Sequence, residues 1–313
     1  MTLLMRPCSW SFKGKMLAYG WRLLCLCSLL CCLNLPVYAQ VILSAEQDSL
    51  AARNFAQKLA QTLPDQAIRY MPRAQLETQS SFTKDTKLIL LGPKLLDWRL
   101  QLRHSAPATL IMQVSRVQAH KRLGEQQPKH LTFLWSDPPL DQQVALLKIM
   151  LPGVQDIGVL YGADSAFLLN EIEQIMRVEH LTLHTYAWPE RYDARGIANL
   201  LNKTDALFGL DDAQIYNPKT IKSILLSSYA RKQPLLGPTA AFIKAGSLAS
   251  TYSSQNNWIN TLQQLLQKPA TAWPSNLYAE ECEVMINQQV ARSLGIQNSH
   301  PGELTRQLKQ HRP

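Results

Sequence analysis

Short apolar segments alternate with amphipathic segments along most of the chain after residue 40. Segments such as 88–91, 131–135 and 157–161 are continuous and apolar, whereas in 48–63 the apolar residues recur at helical spacing. Continuous apolar strands separated by helices are typical of a parallel sheet that is covered on both faces. The pattern predicts strands at 41–43, 67–71, 88–91, 109–114, 131–135, 157–161, 181–186, 206–210, 235–236, 247–251 and 281–286, and helices at 48–63, 95–102, 141–151, 164–178, 192–201, 218–231, 254–267 and 288–294.

The alternation of strands and helices is interrupted once, near the middle of the chain. Asp137-Pro138-Pro139 breaks the pattern, one helix follows and ends at Pro152-Gly153, and the alternation then restarts. We therefore predict an α/β protein with two doubly wound, Rossmann-like lobes and a cleft between them. The predicted division is an N-terminal lobe at 40–150, a C-terminal lobe at 151–297 and a polar tail at 298–313.

The first 39 residues have a different composition. Their only charged residues are basic, the segment 23–33 is apolar apart from Ser28, and Val37-Tyr38-Ala39 fits a signal-peptidase site. A helix of that apolar length spans roughly 16 Å, about half of a hydrocarbon core, so a retained membrane anchor is the weaker alternative. We expect a signal peptide at 1–39, cleavage before Gln40 and a periplasmic mature protein.

Cysteine content and charge narrow the possible partners. Five of the six cysteines lie in the leader, so Cys282 remains alone and no internal disulfide or cysteine metal site is expected. The leader also holds four of the 32 basic residues and no acidic ones, which leaves the mature chain mildly positive. Its basic residues are scattered without interleaved aromatic residues, so nucleic acid is not an expected partner.

Candidate binding residues follow from the position of the loops. In open α/β sheets, ligands meet the loops at the carboxyl ends of the strands, and helices that start there favour an anionic group. Besides the loop 44–46, these loops contain Gly92, Pro93, Ser115, Arg116, Gly162, Asp164, Ser165, Asp211, Asp212, Pro238 and Thr239. Ser165 is a candidate to donate its hydroxyl to a carboxylate, Asp211 and Asp212 to bind an amine, and Arg116 to pair with a carboxylate across the cleft. Helix capping is an open alternative for the Asp and Ser residues at 164–165 and 211–212, and a solvated surface position is the alternative for Arg116.

Enzymatic motifs are absent from the sequence. It has no Gly-x-Ser-x-Gly elbow, no phosphate-binding loop and no dinucleotide fingerprint. His180 and His184 have a suggestive spacing, but on a strand they lie roughly 13 Å apart, too far for one metal ion. We therefore expect no catalytic residues, no metal and no cofactor.

Several segments of the second half resemble a known family. They are Ser136-Asp137-Pro138-Pro139-Leu140, Gln142-Gln143, Leu146-Leu147-Lys148, Leu151-Pro152, Ile157-Gly158-Val159-Leu160-Tyr161, the segment 246–252 and the segment 284–287 with Ala291 and Leu294-Gly295. Together they resemble the ABC-type solute-binding proteins of the tryptophan/tyrosine-transporter family. The resemblance covers most of residues 85–297 and consists of many moderate matches.

The resemblance implies a type I periplasmic-binding fold, in which two lobes close over a small solute, such as an amino acid, by a hinge motion. The closed form is expected to dock as a monomer on an ABC permease in the inner membrane. The family's ligand loops fall on Gly92-Pro93, Ser115, Asp164-Ser165, Asp211-Asp212 and Pro238-Thr239. One departure is Ser115-Arg116-Val117, where the family usually has a Thr/Ser-Asp-Pro turn.

Two other functions remain open at this point. A sensory module that presents a solute to a membrane receptor kinase would have the same fold, and its genomic neighbours would differ. An exported α/β enzyme would need a nucleophile or an acid–base pair in the cleft.

Overall fold

The computed structural model describes residues 40–79, 81–83, 85–102, 107–189, 193–297 and 300–310. Within these residues the chain forms two six-stranded sheets, with helices between the strands. The predicted signal peptide at 1–39 lies outside the described residues. No helix in the described part is long and apolar enough to cross a membrane.

The strands, numbered along the chain, divide between the two sheets. The first sheet contains β1 (Gln40–Ala45), β2 (Ala67–Tyr70), β3 (Lys87–Leu91), β4 (Ala108–Met112), β5 (Leu131–Leu134) and β11 (Asn276–Leu277), in the order β11-β5-β4-β3-β1-β2. The second contains β6 (Asp156–Tyr161), β7 (Thr182–Ala187), β8 (Ala206–Phe208), β9 (Leu235–Leu236), β10 (Ala249–Tyr252) and β12 (Glu283–Ile286), in the order β12-β10-β9-β8-β6-β7. Among the described strand pairs, only β10 and β12 run antiparallel.

The helices follow the predicted periodicity with a few additions. They are α1 (Leu50–Thr62), α2 (Arg73–Glu77), α3 (Pro93–Gln101), α4 (Arg116–Leu123), α5 (Leu140–Met150), α6 (Leu169–Val178), α7 (Ala194–Leu201), α8 (Ile221–Tyr229), α9 (Gln255–Leu266), α10 (Gln288–Ser293) and α11 (Pro301–Gln310). The sequence pattern did not predict α2, α4 or α11. The helix predicted at 164–178 begins only at Leu169, after a 3₁₀ turn at Ala166–Leu168.

Both faces of each sheet are buried under helices. Alternate residues of β1 show this, because Val41 and Leu43 pack against α1 and α9 while Ile42 packs on the opposite face with α3. In the second sheet, α5 and α6 cover one face and α7 and α8 cover the other. The predicted class, two doubly wound α/β units with apolar strands, is confirmed.

Within the described residues, the chain crosses between the two sheets at three places. The crossings are 135–139 after β5, 253–254 after β10 and 278–282 after β11. Helix α5 therefore packs on the second sheet, whereas α9 and β11 return to the first sheet. We call each sheet with its helices the first lobe and the second lobe. The division into domains at 40–150 and 151–297 stays a prediction. The sheet on which an element packs differs from this division for three elements, since α5 packs on the second sheet and α9 and β11 on the first.

Within the polar tail predicted at 298–313, residues Pro301–Gln310 form helix α11. Leu304 and Leu308 are buried there against α5 and β12, and Thr305 Oγ1 accepts the backbone N–H of Val284 at 3.1 Å. The two leucines lie four residues apart and give only one helical spacing of apolar residues. A single spacing is too short to reveal a helix in an otherwise polar sequence. The described part of the tail is therefore an integral part of the second lobe.

Replacing Leu304 by alanine tests this anchoring. We expect the Leu304→Ala change to lower the free energy of unfolding by roughly 2 to 5 kcal/mol, because a fully buried leucine leaves a cavity. The matched control is Gln310→Ala, an exposed position on the same helix, which should change stability by less than about 0.5 kcal/mol. Urea denaturation measures both, and equal values for the two variants would contradict the anchoring.

Candidate functional site

A pocket of about 670 Å³ opens at the carboxyl ends of β1, β3 and β4. We call it the first-lobe pocket. Its wall includes Glu46 after β1, Gly92 after β3, Gln113 after β4, Phe55 of α1 and Trp258 of α9. Among the described residues that line the pocket, Glu46 carries the only charged side chain. Of the predicted site residues, Gly92 and Pro93 border this pocket.

The geometry at Gly92 determines where the Glu46 carboxylate lies. Gly92 has a φ of +106°, and a Cβ placed there would lie 2.8 Å from Glu46 Oε2. The same oxygen accepts the backbone N–H of Lys94 at 3.3 Å, and the Lys94 Nζ lies 3.1 Å from Glu46 Oε1. The N-terminus of α3, where the sequence favoured an anionic ligand, is therefore already occupied by the protein's own carboxylate.

Two aromatic side chains line the first-lobe pocket. Phe55 and Trp258 come from α1 and α9, which pack together on one face of the first sheet. The indole N–H of Trp258 is buried and has no hydrogen-bond acceptor. Neither residue was a sequence-based candidate, because both lie on helices and not in loops.

In the second lobe, three predicted residues form a hydrogen-bonded network instead of an open surface. Ser165 Oγ donates to Asp212 Oδ2 at 2.6 Å and accepts the Gly162 N–H at 3.0 Å, while Asp212 Oδ1 accepts the Gln214 N–H at 2.9 Å. Ser165 and Asp212 are fully buried. The capping alternative is wrong for residues 164 and 165, because α6 begins at Leu169 without a side-chain cap. The hydrogen bonds from Ser165 to Gly162 and Asp212 hold the loops after β6 and β8 in one arrangement.

The loop after β4 also differs from the expectation. Ser115 is the N-cap of α4, in a reciprocal capping box with Gln118, so the basic stretch after it is helical. The sequence signal was present, since a serine followed three residues later by glutamine is typical of a helix start. The helix carries Arg116 and Lys121 to the second lobe, whereas Arg122 pairs with Asp97 of α3 in the first lobe.

Arg116, His120 and Lys121 of α4 contact the second lobe. Arg116 makes a bidentate ion pair with Glu171 of α6, with N–O distances of 2.9 and 2.5 Å. Lys121 Nζ lies 2.6 Å from Asp164 Oδ2, and the ring of His120 stacks on Phe167 at a centroid distance of 3.9 Å. The predicted interlobe partner of Arg116 is thus a carboxylate of the protein itself. Burial lowers the pKa of Arg116, but the hydrogen bond that it donates to Glu171 and the charges and hydroxyl of Glu171 and Tyr278 together outweigh burial and hold the pKa above its usual value.

Two carboxyl groups lie where the lobes meet, those of the buried Asp137 and the half-buried Asp211. Asp137, in the first crossing, accepts the backbone N–H of Arg116 at 2.9 Å. Burial raises the pKa of Asp137 to about 7, the Arg116 N–H opposes this, and the charge of Asp211 adds to it. Burial also raises the pKa of Asp211, against a hydrogen bond from Ser115 and together with the charge of Asp212. Ser115 and Asp211 thus face each other across the lobes.

The predicted site residues therefore fall into four groups. The first group, Gly92 and Pro93, borders the first-lobe pocket. The second lies at the contact between the lobes and consists of Ser115, Arg116, Asp164 and Asp211, and the third forms the network of the second lobe, Gly162, Ser165 and Asp212. The fourth, Pro238 and Thr239, follows β9, and Pro238 packs against Gly209. Sequence reasoning did not single out Phe55, Trp258 or Glu171.

Replacing Gly92 by alanine tests the conformation that positions Glu46. We expect Gly92→Ala to lower the free energy of unfolding by roughly 1 to 3 kcal/mol, since the new Cβ meets Glu46 at a positive φ. Gly153→Ala is the control, because nothing lies within 4 Å of its added Cβ and its φ is not positive. If chemical denaturation shows no loss for Gly92→Ala relative to Gly153→Ala, the described loop geometry is wrong.

Known proteins are similar to this chain in sequence pattern and in fold. A family model described as ABC transporter substrate binding protein matches residues 114–301. No curated protein matches the chain.

Three solved structures share the fold. An ABC domain from Streptococcus pneumonia in complex with L-Trp is 18% identical, covering 86% of this chain and 98% of that chain at a TM-score of 0.54. A conserved domain protein from Vibrio cholerae is 17% identical over 86% and 97%, with a TM-score of 0.52. A ligand-free, open substrate binding protein with adhesive properties from Clostridium difficile is 14% identical over 83% and 95%, with a TM-score of 0.63.

Proposed function

This chain belongs to the ABC transporter substrate-binding protein family, and we propose that its solute is a small molecule with a cationic amine, such as an amino acid. As a member of the family it is an extracytoplasmic solute-binding protein of an ABC uptake system, with a small-molecule ligand and a membrane permease as partners. The observation that carries the proposal is the single carboxylate of Glu46 in the wall of the first-lobe pocket.

Glu46 favours a cation for an electrostatic reason. Its side chain is only 21% exposed, whereas its partner Lys94 is 60% exposed on the surface. An exposed ion pair is worth little, so a ligand ammonium group displaces Lys94 at small cost. An anionic group at the same point would meet a like charge in a partly buried place, which disfavours binding.

An amino acid also suits the aromatic part of the pocket lining. An apolar or aromatic side chain packs on Phe55 and Trp258. An amine and an apolar side chain on one small molecule would satisfy both features together. The L-Trp in the Streptococcus pneumonia structure belongs to the same chemical class.

We propose that the second wall of the site is formed by the second lobe when it closes. The loops that carry Gly162, Asp164, Ser165, Asp211, Asp212, Pro238 and Thr239 follow β6, β8 and β9 at the carboxyl edge of the second sheet. In this proposal the buried Ser165–Asp212 pair fixes the backbone of these loops, and Gly92, Pro93, Ser115 and Arg116 supply the edge of the first lobe.

The mature protein is proposed to act in the periplasm as a monomer after removal of residues 1–39. The ordered sequence of a basic region, a short apolar region and small residues supports cleavage. The family is a substrate-binding class, and we propose that the chain binds its solute without turnover.

A thermal-shift screen of residues 40–313 against amino acids, peptides, sugars and nucleosides tests the solute class. A ligand at 100 times its Kd stabilises the folded state by about 2.7 kcal/mol, which moves the Tm by several degrees. We expect amine-bearing solutes to raise the Tm. We expect Glu46→Gln to weaken their binding roughly 10- to 100-fold, because a charge-assisted hydrogen bond is worth about 1.5–3 kcal/mol.

The matched control is Glu77→Gln, which removes an exposed carboxylate paired with Arg73 on α2, outside the pocket lining. Its affinity should equal that of the wild type. Equal binding by Glu46→Gln and wild type would sink the amine assignment, as would a response to sugars or nucleosides alone. No shift with any solute, together with turnover of an ester or phosphate substrate, would contradict solute binding itself.

A further inference from the structure

The outer surface of the second lobe carries a group of basic residues without acidic neighbours in sequence. Helices α7 and α8 and the residues beside them, 194–204 and 219–233, contain six cations and no acidic residue. We call these two segments the basic face. All six cations are exposed, and they are Arg195, Lys203, Lys219, Lys222, Arg231 and Lys232.

The fold places the two segments side by side. Ile197 of α7 and Ile224 of α8 are buried in one cluster on the same face of the second sheet. The exposed sides of both helices therefore point away from that sheet, in the same direction. Arg231 Nε donates to Asn202 Oδ1 at 3.3 Å, which joins the C-terminal ends of the helices. Helices that pack side by side lie about 10 Å apart, so one flat surface can touch both.

Ion pairing distinguishes the basic face from the other side of the second lobe. On α5, α6 and α11, which cover the opposite face of the sheet, four cations are paired with acids: Lys148 with Glu179, Arg177 with Glu173, Arg306 with Glu303 and Lys309 with Glu281. None of the six cations of the basic face forms an ion pair with a residue that the structure describes. Their charge is therefore open to an external partner.

The acids that flank the basic face are held by backbone groups. Asp193 caps α7 and accepts two of its backbone N–H groups. Asp205 accepts the backbone N–H groups of Gln155 and Asp156, both at 2.9 Å. Each carboxylate is thus directed at the backbone and not at the cations.

The basic face accounts for the net charge of the mature chain. The sequence has 32 basic and 23 acidic residues, and four of the basic ones lie in the leader. Residues 40–313 therefore have five more basic than acidic residues, and the basic face alone has six. The remainder of the mature chain is nearly neutral, so the positive charge is concentrated on one side of one lobe.

Helix stability explains only part of this arrangement. Lys203, Arg231 and Lys232 follow the C-terminal ends of the helices, where the helix dipole favours a cation. Arg195 and Lys222 lie in the first turns of α7 and α8, where the dipole disfavours one. The cations at the N-terminal ends thus oppose local stability, which indicates a role outside the folded chain.

We propose that the basic face binds the anionic headgroups of a phospholipid bilayer, on the extracytoplasmic surface of the membrane that holds the permease. The charges are complementary, and a flat face formed by two helices suits a planar partner better than a concave site does. Leu226, one helical turn after Lys222, is 63% exposed and can enter the boundary between headgroups and acyl chains. This contact is separate from the solute site and goes beyond the proposed function.

The expected binding is weak and reversible. Each Lys or Arg close to an anionic membrane strengthens binding roughly fivefold. Six of them give an association constant on the order of 10⁴ M⁻¹, similar to that of a single myristoyl chain, which anchors a protein only marginally. The protein would therefore be concentrated beside the permease and would still exchange with the surrounding solution.

Co-sedimentation with lipid vesicles tests the proposal. The experiment uses residues 40–313, which hold every described element, because the basic and apolar stretches of 1–39 would bind lipid themselves. We expect binding to phosphatidylcholine vesicles that contain about 30 mol% phosphatidylglycerol, and none to phosphatidylcholine alone. Binding should disappear between about 0.1 M and about 1 M salt, because the Debye length falls from about 10 Å to about 3 Å.

A triple variant locates the contact. Arg195→Gln, Lys203→Gln and Lys222→Gln together should weaken vesicle binding roughly 100-fold, since each cation contributes about fivefold. The matched control removes the same charge from exposed positions of α6 and α11, through Arg177→Gln, Arg306→Gln and Lys309→Gln. It should change binding by less than about threefold, because those cations lie on the opposite side of the lobe, beyond a Debye length.

Leu226 has a matched control of its own. Leu226→Gln should weaken vesicle binding several-fold, whereas Leu50→Gln should leave it unchanged. Leu50 is 74% exposed on α1 of the first lobe, so neither substitution removes a buried side chain. If the triple variant does not fold, Lys222→Gln alone, with Arg177→Gln as its control, replaces it and should weaken binding about fivefold.

Equal binding to vesicles with and without phosphatidylglycerol overturns the proposal. Equal losses in the two triple variants also overturn it, because they would show a general attraction of a positive protein. Binding to polyglutamate without binding to vesicles would mean that the basic face takes an acidic protein, and it too overturns the lipid assignment. No solute is present, so a failed solute panel leaves this result standing, and absent vesicle binding leaves the proposed function intact.

Discussion

Burial of both faces of each sheet is the constraint on which the rest of the structure depends. Strands such as β3 and β6 place apolar side chains against helices on either side, so polar chemistry is confined to the loops at their ends. A polar side chain that enters the second sheet lowers stability unless its polar atoms are hydrogen-bonded. Gln143 of α5 is buried and reaches Gly237, Ser250 and Thr251 through both ends of its amide. The same constraint brings the acids and hydroxyls of the loops together at the carboxyl edges.

Local periodicity was sufficient to predict the class of fold and most of the elements. The strands at 88–91 and 157–161 are continuous apolar runs, and their flanking helices have clear apolar faces, so each element was visible within a short window. The lobe assignment of α9 was not visible in this way. Its apolar residues fit either sheet. Contacts between residues some two hundred positions apart, such as Gln66 and the Leu266 carbonyl, determine that α9 packs on the first sheet.

The candidate site was predictable only in its loops. Gly92 and Pro93 follow a strand, as the rule for open sheets requires, and they do border the first-lobe pocket. The rule predicts which loops lie at the ligand-binding edge, and it does not predict which side chains contact one another there. It therefore missed that Glu46 fills the helix N-terminus beside Gly92, and that Arg116 finds Glu171 on a helix of the other lobe. Phe55 and Trp258 were missed because helix packing, which the rule does not address, brings them to the pocket.

The return of α9 and β11 to the first sheet makes the first lobe a discontinuous folding unit. Its early strands and its last strand are separated by the whole of the second sheet up to β10. Neither lobe is a continuous segment that can be excised and expressed alone, and the first cannot be completed until nearly the entire chain has left the ribosome. Long-range pairing of this kind slows folding. A chain that remains unfolded until late in synthesis is well matched to a route on which it must be threaded across a membrane before it folds.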